Sequence, residues 1–220
     1  FKKPYVKAKI AMSSDHKSVF TSKQKKWITG IPARNDVQKI RAEADIILTG
    51  AGTINDDSPS MNVRAKKIIA NKNFTQPSRY VFSNDLELNW DAPFFKLPGK
   101  KVVVTSKRNL PKLARGIKNI SLMTLKKNTN SLSSREFIKK ISKSNTNNIL
   151  IEAGPKLLGS FGDCNLIDEY IFYISQEKLG DKALYFYGGK KQLNFFDNKL
   201  FDIVEETNIG KDRKIVLRKK

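Results

Sequence analysis

The apolar residues of this chain change period several times, and each change marks an element. From Tyr5 to Met12, Val6, Ala8, Ile10 and Met12 are spaced two apart, the period of a half-buried strand. Residues 33–44 follow Pro32 and place Ala33, Val37, Ile40 and Ala44 on one stripe of a helix. Residues 45–49 form a short apolar run that stops at Gly50, as a buried strand does. Residues 79–83 and 101–105 predict two more strands, and 121–125 another. Residues 133–142 read as a helix with Phe137, Ile138 and Ile141 turned inward. A polar stretch, 142–148, leads to a strand at 149–151, a helix after Pro155 and an apolar strand at 170–175. Residues 201–220 read as a hairpin turning at Gly210-Lys211-Asp212.

Strands alternating with helices predict an α/β protein whose sheet carries helices on its faces. The final hairpin would add antiparallel edge strands. No internal repeat and no Pro/Gly/Ser-rich linker divides the chain, so residues 1–220 read as one domain. Segments 65–78 and 84–100 read as long loops, which in a compact domain are usually functional or mobile.

Composition narrows the class. Hydrophobic residues make up 39% and 13 are Phe, which excludes a disordered chain. No apolar run approaches the roughly 20 residues of a membrane span, and residues 1–5 lack the apolar core of a signal peptide. A membrane partner is therefore not expected. One cysteine, Cys164, allows no internal disulfide, which suits a reducing cytoplasm, and its setting reads as buried packing. One Cys and one His, His16, also leave no structural zinc site, so no metal is expected. The net charge is +21, and 33 of the 42 basic residues are lysine. They run along the whole chain and are poorly suited to bidentate base reading, so a charged soluble surface is the plainer account. Steering of an anionic substrate and salt-sensitive nucleic-acid attraction stay open as alternatives.

The densest chemistry lies at Asn148-Ile149-Leu150-Ile151-Glu152-Ala153-Gly154-Pro155. An apolar strand runs into a glycine-proline helix start, with a carboxylate at the junction. Pro155 suits the first helical position, and Gly154 lets a ligand approach the backbone. The free N–H groups that follow attract phosphate, and Glu152 would sit beside that anion site. Thr49-Gly50-Ala51-Gly52-Thr53 lacks the third glycine and the distal acid of a dinucleotide fingerprint, and a helix precedes its strand. It reads as a glycine-rich loop against which a cofactor can lie. Thr53 to Pro59 adds hydroxyl and carboxylate groups after that loop, or reads as an Asx-type turn with solvated acids, and Arg64 follows. Arg41 borders the helical stripe, and arginines at a cleft suit a phosphate. Trp27 follows the basic stretch 22–26 and reads either as a ring that stacks or closes a lid, or as a core anchor. Asp15 reads as a turn residue.

Taken together, these segments resemble the reductase domain of the bifunctional riboflavin-biosynthesis deaminase/reductase. The resemblance rests on Pro4 through Asp15, Lys26-Trp27-Ile28-Thr29-Gly30, Ala33-Arg34, Asp36-Val37 and Arg41. It continues through Ile47 to Thr53, Asp57, Pro59, Val63-Arg64, Ile151 to Pro155, Leu157, Gly159, Leu166 to Glu169, Leu179-Gly180 and the terminal hairpin. The family implies a dihydrofolate-reductase-like three-layer αβα fold, with a mostly parallel central sheet and an antiparallel C-terminal hairpin. It implies a homodimer that uses NADPH to reduce 5-amino-6-(5-phosphoribosylamino)uracil, a phosphorylated pyrimidine, to the ribitylamino compound. Carried onto this chain, the cofactor would meet Ala11, Trp27, Thr53, Asp57, Asn84 and the turn Gly154, Pro155, Lys156, Leu157, Leu158, Gly159 and Ser160. The substrate would meet Arg41, Met61, Arg64 and Glu152, with Glu152 orienting ribose hydroxyls. No protein proton donor is evident, and a water would serve.

The family usually has Asp-Gly where this chain has Asp15-His16, so that turn is expected to avoid a glycine-only conformation. Lys25 replaces the family's usual serine before the tryptophan. The zinc motif of the deaminase domain, His-x-Glu with Pro-Cys-x-x-Cys, is absent. Deaminase activity is therefore expected on a separate chain or domain. A reductase of the same fold acting on a pterin or folate, a basic nucleic-acid-binding protein and an inactive homologue are the competing readings.

Overall fold

The computed structural model describes residues 3–19, 27–128, 131–191, 193–197 and 199–220. In chain order these form β1 (Tyr5–Met12), β2 (Lys17–Val19), α1 (Ile31–Ala42), β3 (Ile46–Gly50), α2 (Ala51–Asp57), α3 (Lys66–Ile69), β4 (Ser78–Phe82), α4 (Pro93–Lys96) and β5 (Lys101–Thr105). Then come β6 (Ile120–Thr124), β7 (Lys127–Asn128), β8 (Ser131–Leu132), α5 (Ser134–Ile141), β9 (Asn148–Ile151), α6 (Pro155–Asp163), β10 (Glu169–Ile174), β11 (Leu184–Tyr185), β12 (Phe201–Ile209) and β13 (Asp212–Lys219). The result is a mixed α/β fold with mostly parallel strands and an antiparallel C-terminal hairpin. The chain gathers into two compact units, the first built on Lys39–Leu150 and the second on Tyr5–Gln38 and Ile151–Lys220.

In the first unit β3, β4, β5 and β6 run parallel in that order, with Ile47 opposite Arg79, Tyr80 opposite Val102 and Val103 opposite Leu122. Burial of every β5 residue explains why parallel strands read as continuous apolar runs rather than alternating ones. Ser133 caps α5 by accepting the Glu136 N–H at 3.2 Å. The inward face of α5 sets Phe137 edge-on to Phe82 and Tyr80, with centroids 5.1 and 5.9 Å apart. The two expected long loops are more ordered than the sequence implied. Each holds a one-turn helix, α3 and α4, and residues 84–100 send Leu88, Trp90, Phe94 and Phe95 into the core.

In the second unit the order is β12, β13, β10, β1. β1 pairs parallel with β10, and the other pairings are antiparallel. β1 alternates as its sequence predicts. Val6, Ala8, Ile10 and Met12 are buried, and Lys7, Lys9 and Ala11 share the other face. Tyr170, Phe172, Phe186, Phe195 and Phe201 form an aromatic core with neighbouring ring centroids 4.9 to 6.2 Å apart. The hairpin turn reaches the start of α1, where the buried Asp212 carboxylate accepts the Gly30 N–H at 2.7 Å. Cys164 is half-buried rather than buried, because it follows the last residue of α6.

Candidate functional site

In the second unit, β9 ends at Ile151 and α6 begins four residues later, at Pro155. Glu152 occupies the strand end and is 5% exposed. Its Oε2 lies 3.4 Å from Nζ of Lys9. Lys9 comes from the non-core face of β1, the face that also carries Ala11. Gly154 stands before α6 with extended backbone and brings no side-chain cap. The helix start therefore lacks the side-chain acceptor that most helices place there. Lys156 is exposed, and Gly154, Pro155 and Leu157 are half-buried.

Leu158 and Gly159 face the interior. A Cβ on Gly159 would stand 2.2 Å from Gly189 N and 2.5 Å from Gly188 C. This glycine therefore admits the chain's own backbone. Ser160 returns its hydroxyl to Leu157 O at 3.0 Å. The accessible part of the expected turn is accordingly 154–157. Asp163 anchors the covering segment by accepting the Lys190 N–H at 2.7 Å, the Lys191 N–H at 3.1 Å and the Tyr187 hydroxyl at 3.0 Å.

Tyr173 lies opposite Ala11 across β10 and β1. Its hydroxyl donates to Asp36 Oδ2 at 2.8 Å, and Lys214 Nζ lies 3.1 Å from the same oxygen and 3.0 Å from Glu205. Burial, then the bond to Asp36, holds the Tyr173 hydroxyl far above its ordinary range. Tyr173 therefore keeps its proton near neutrality and is a poor acid. Burial works to lower the Lys214 ammonium, but its bonds to Glu205 and Asp36 outweigh that and raise it.

Trp27 is 54% exposed, which removes the core-anchor reading. The Arg34 guanidinium stands 4.9 Å from its ring centroid and donates to Thr29 O at 3.1 Å. Residues 22–26, including Lys25, lie outside the described residues. Asp15 is the turn residue the sequence predicts. Its carboxylate accepts the Ser13 hydroxyl and the N–H groups of Leu179 and Gly180, at 3.1 and 2.8 Å for the latter two. The Ser13 bond is the chief cause that lowers its pKa to about 2, against the opposing effect of burial. His16 sits at φ 60. The turn thus keeps the left-handed backbone that glycine favours, in a well that histidine can enter.

In the first unit, the glycine-rich segment is not a loop. β3 runs to Gly50 and α2 starts at Ala51, so Gly52 and Thr53 are helical. Gly52 is exposed, and a Cβ there would meet only Asp56 Oδ2, at 3.9 Å. Thr53 is half-buried, Asp57 is exposed at the helix end, and Asn84 is half-buried after β4. Arg41, in the last turn of α1, is 8% exposed. Its Nη1 donates to Asn62 O at 3.1 Å and its Nη2 to Met61 Sδ at 3.8 Å. Arg64 is exposed and donates to Ser60 Oγ at 3.1 Å. Ser58 and Met61 have φ 45 and φ 46, the left-handed region, although neither is glycine.

The expected substrate residues Arg41, Met61 and Arg64 thus converge on one loop, 58–64. Glu152 joins Lys9 and the turn at 154–157. Lys9 was not among the residues expected from the sequence. Its side of β1 was legible from the alternation, but its acidic partner was not.

A family model described as the RibD C-terminal domain matches residues 4–209. RibD from Buchnera aphidicola subsp. Baizongia pistaciae (strain Bp) is 32% identical over 98% of this chain and 60% of that protein. A 5-amino-6-(5-phosphoribosylamino)uracil reductase from Buchnera aphidicola subsp. Acyrthosiphon pisum (strain APS) is 31% identical over 89% of this chain and 96% of that one. Among solved structures, RibD of Acinetobacter baumannii (form 1) superposes with a TM-score of 0.83 at 26% identity, over 99% of this chain and 58% of that one. Dihydrofolate reductase from Enterococcus faecalis, complexed with NADP(H), shares the fold alone, with a TM-score of 0.53 at 11% identity over 98% of this chain and 96% of that one. The chain belongs to the RibD C-terminal domain family and has a dihydrofolate-reductase-like fold. It spans about half to three fifths of the length of the RibD proteins it matches.

Proposed function

We propose that this chain reduces the ribosyl group of 5-amino-6-(5-phosphoribosylamino)uracil to the ribitylamino product with NADPH, a step of riboflavin biosynthesis. The observation that carries this reading is the buried Glu152 carboxylate, 3.4 Å from Lys9, beside a helix start without a side-chain cap. The family and the name of the reductase from the second Buchnera strain support it.

The residues present fit a nicotinamide nucleotide. Gly154 carries no side chain and Pro155 no N–H, so the amides of Lys156 and Leu157 at the start of α6 suit a pyrophosphate. Ala11 and Trp27, in the same unit as this turn, would hold more of the nucleotide. When bound, the nucleotide supplies the hydride. Within the first unit, the guanidinium groups of Arg41 and Arg64, with Met61 beside them, suit a phosphate. The Glu152 carboxylate would accept ribose hydroxyls, and the Lys9 ammonium would hold that carboxylate in place. No side chain of the site is an evident proton donor, and a water would serve.

The homodimer and a separate deaminase chain or domain belong to the same proposal, as does a reducing cytoplasm. The test follows the loss of reduced-nicotinamide absorbance with the deaminated phosphoribosyl substrate. Substrate-dependent NADPH oxidation is the expected result. Turnover of a pterin or folate instead, or no oxidation with any of these, would overturn the assignment.

A further inference from the structure

Loop 58–64 is gripped from behind by two residues that neither the fold class nor the proposed chemistry calls for. Gln76 pairs its side-chain amide with the backbone of Val63 in both directions. Its Oε1 accepts the Val63 N–H at 3.0 Å and its Nε2 donates to Val63 O at 2.7 Å. One side chain thus imitates a strand neighbour for the residue next to Arg64. Arg79, on β4, is 1% exposed. It spends its guanidinium on carbonyls alone: Ser60 O at 3.3 Å, Leu97 O at 2.8 Å and Pro98 O at 2.6 Å. The ring of Phe94 lies 5.5 Å away.

Arg79 holds this position at a cost. Burial pulls its pKa down to about 10, and its strand neighbour Lys101 is a second buried cation, bonded to Lys118 O at 2.8 Å. A buried charge of that kind is disfavoured unless something needs its donors. Here the donors fix three carbonyls, and one of them belongs to Ser60, whose hydroxyl receives Arg64.

We infer that Gln76 and Arg79 are positioning residues that preset loop 58–64 so that Arg64 meets an anionic group in one orientation. The inference rests on the phosphate role given to Arg64 above. A guanidinium fork matches a phosphate only in a defined geometry, so holding its loop beforehand lowers the ordering cost of binding.

The test compares the full chain with Gln76→Met and Arg79→Lys. Ribose 5-phosphate is titrated by calorimetry, and steady-state constants are measured for the phosphoribosyl substrate and its dephosphorylated analogue. Losing two neutral hydrogen bonds should weaken ribose 5-phosphate binding and raise KM for the phosphorylated substrate about tenfold in Gln76→Met. The kcat should stay within about twofold, and the dephosphorylated analogue should not distinguish Gln76→Met from the parent, because only transition-state-specific losses reach kcat. Arg79→Lys keeps the charge but not the three-carbonyl grip, and should shift the same way. Unchanged ribose 5-phosphate affinity in both folded variants overturns the inference. So does a loss that falls equally on the phosphorylated and dephosphorylated substrates. A parent that binds ribose 5-phosphate but oxidises no NADPH would refute the proposed reaction and leave the loop comparison decisive.

Discussion

The ammonium of Lys9 stands 3.4 Å from the carboxylate of Glu152, and the lysine is the more exposed of the pair, at 19% against 4% for the side chains. The acid is thus fixed from one side at the end of β9. Glu152→Gln preserves its shape and removes its charge. It is expected to lower kcat/KM about 100-fold, as loss of a preorganised charged group does. The midpoint of thermal unfolding should move by less than about 3 °C. Parallel losses of activity and stability would assign the residue to the fold alone.

Gly159 and Gly52 should behave in opposite ways when each is given a methyl group. Gly159→Ala drives a methyl group into the backbone of residues 188 and 189, at 2.2 Å from Gly189 N. Overpacking of this kind costs about 1–3 kcal/mol or more, seen as a lower unfolding midpoint. Gly52→Ala meets only Asp56 Oδ2, at an ordinary 3.9 Å, and in a helix should stabilise by about 0.5–1 kcal/mol. If NADPH lies against this helix, the same variant raises KM for NADPH while the protein becomes more stable. A variant that is both more stable and unchanged in KM would remove Gly52 from the cofactor surface.

Asp212→Ala tests the link between the terminal hairpin and α1. The carboxylate is buried and takes the Gly30 N–H at 2.7 Å. Removing it leaves that amide without this acceptor, at a cost of about 1–3 kcal/mol. Urea unfolding should show the midpoint falling with the slope unchanged. A shift within error would mean that the turn contributes nothing to seating the helix.

Asp15 sets an acid limit. Its folded pKa is held at about 2, below the ordinary carboxylate value, chiefly by the Ser13 hydroxyl. A depressed acid stabilises the fold above its unfolded pKa, and that contribution is lost as pH falls through the folded pKa. Asp15→Asn should therefore be less stable than the parent at neutral pH. The gap should close between about pH 4 and pH 2. Chemical denaturation across that window checks it, and a gap that widens on acidification contradicts the assignment.

Much of this was legible beforehand, for physical reasons that differ by element. β1 and α5 announce themselves because one face is wet and the other dry, which imposes period two or 3.6 on the residues. Glu152 stands out because a carboxylate between an apolar strand and a Gly-Pro helix start serves no packing need. Boundaries slipped by one or two residues, as at Ser133, whose side chain caps the helix from outside. Residues 84–100 were misread because Leu88, Trp90, Phe94 and Phe95 reach the core without any regular spacing. α2 is hidden in the sequence because Gly52 is a poor helix former, yet the helix runs through it from Ala51. Lys9, Gln76 and Arg79 were out of reach, since each acts through a partner that only the folded chain supplies.

Ser58 and Met61 hold left-handed backbone within four residues of one another, where glycine would be more comfortable. The chain tolerates that discomfort in the loop that carries Arg64. Met61→Gly would relieve that backbone but also empty the buried place of a side chain that touches Arg41, so the segment should wander more widely and no longer offer its guanidinium from a single direction.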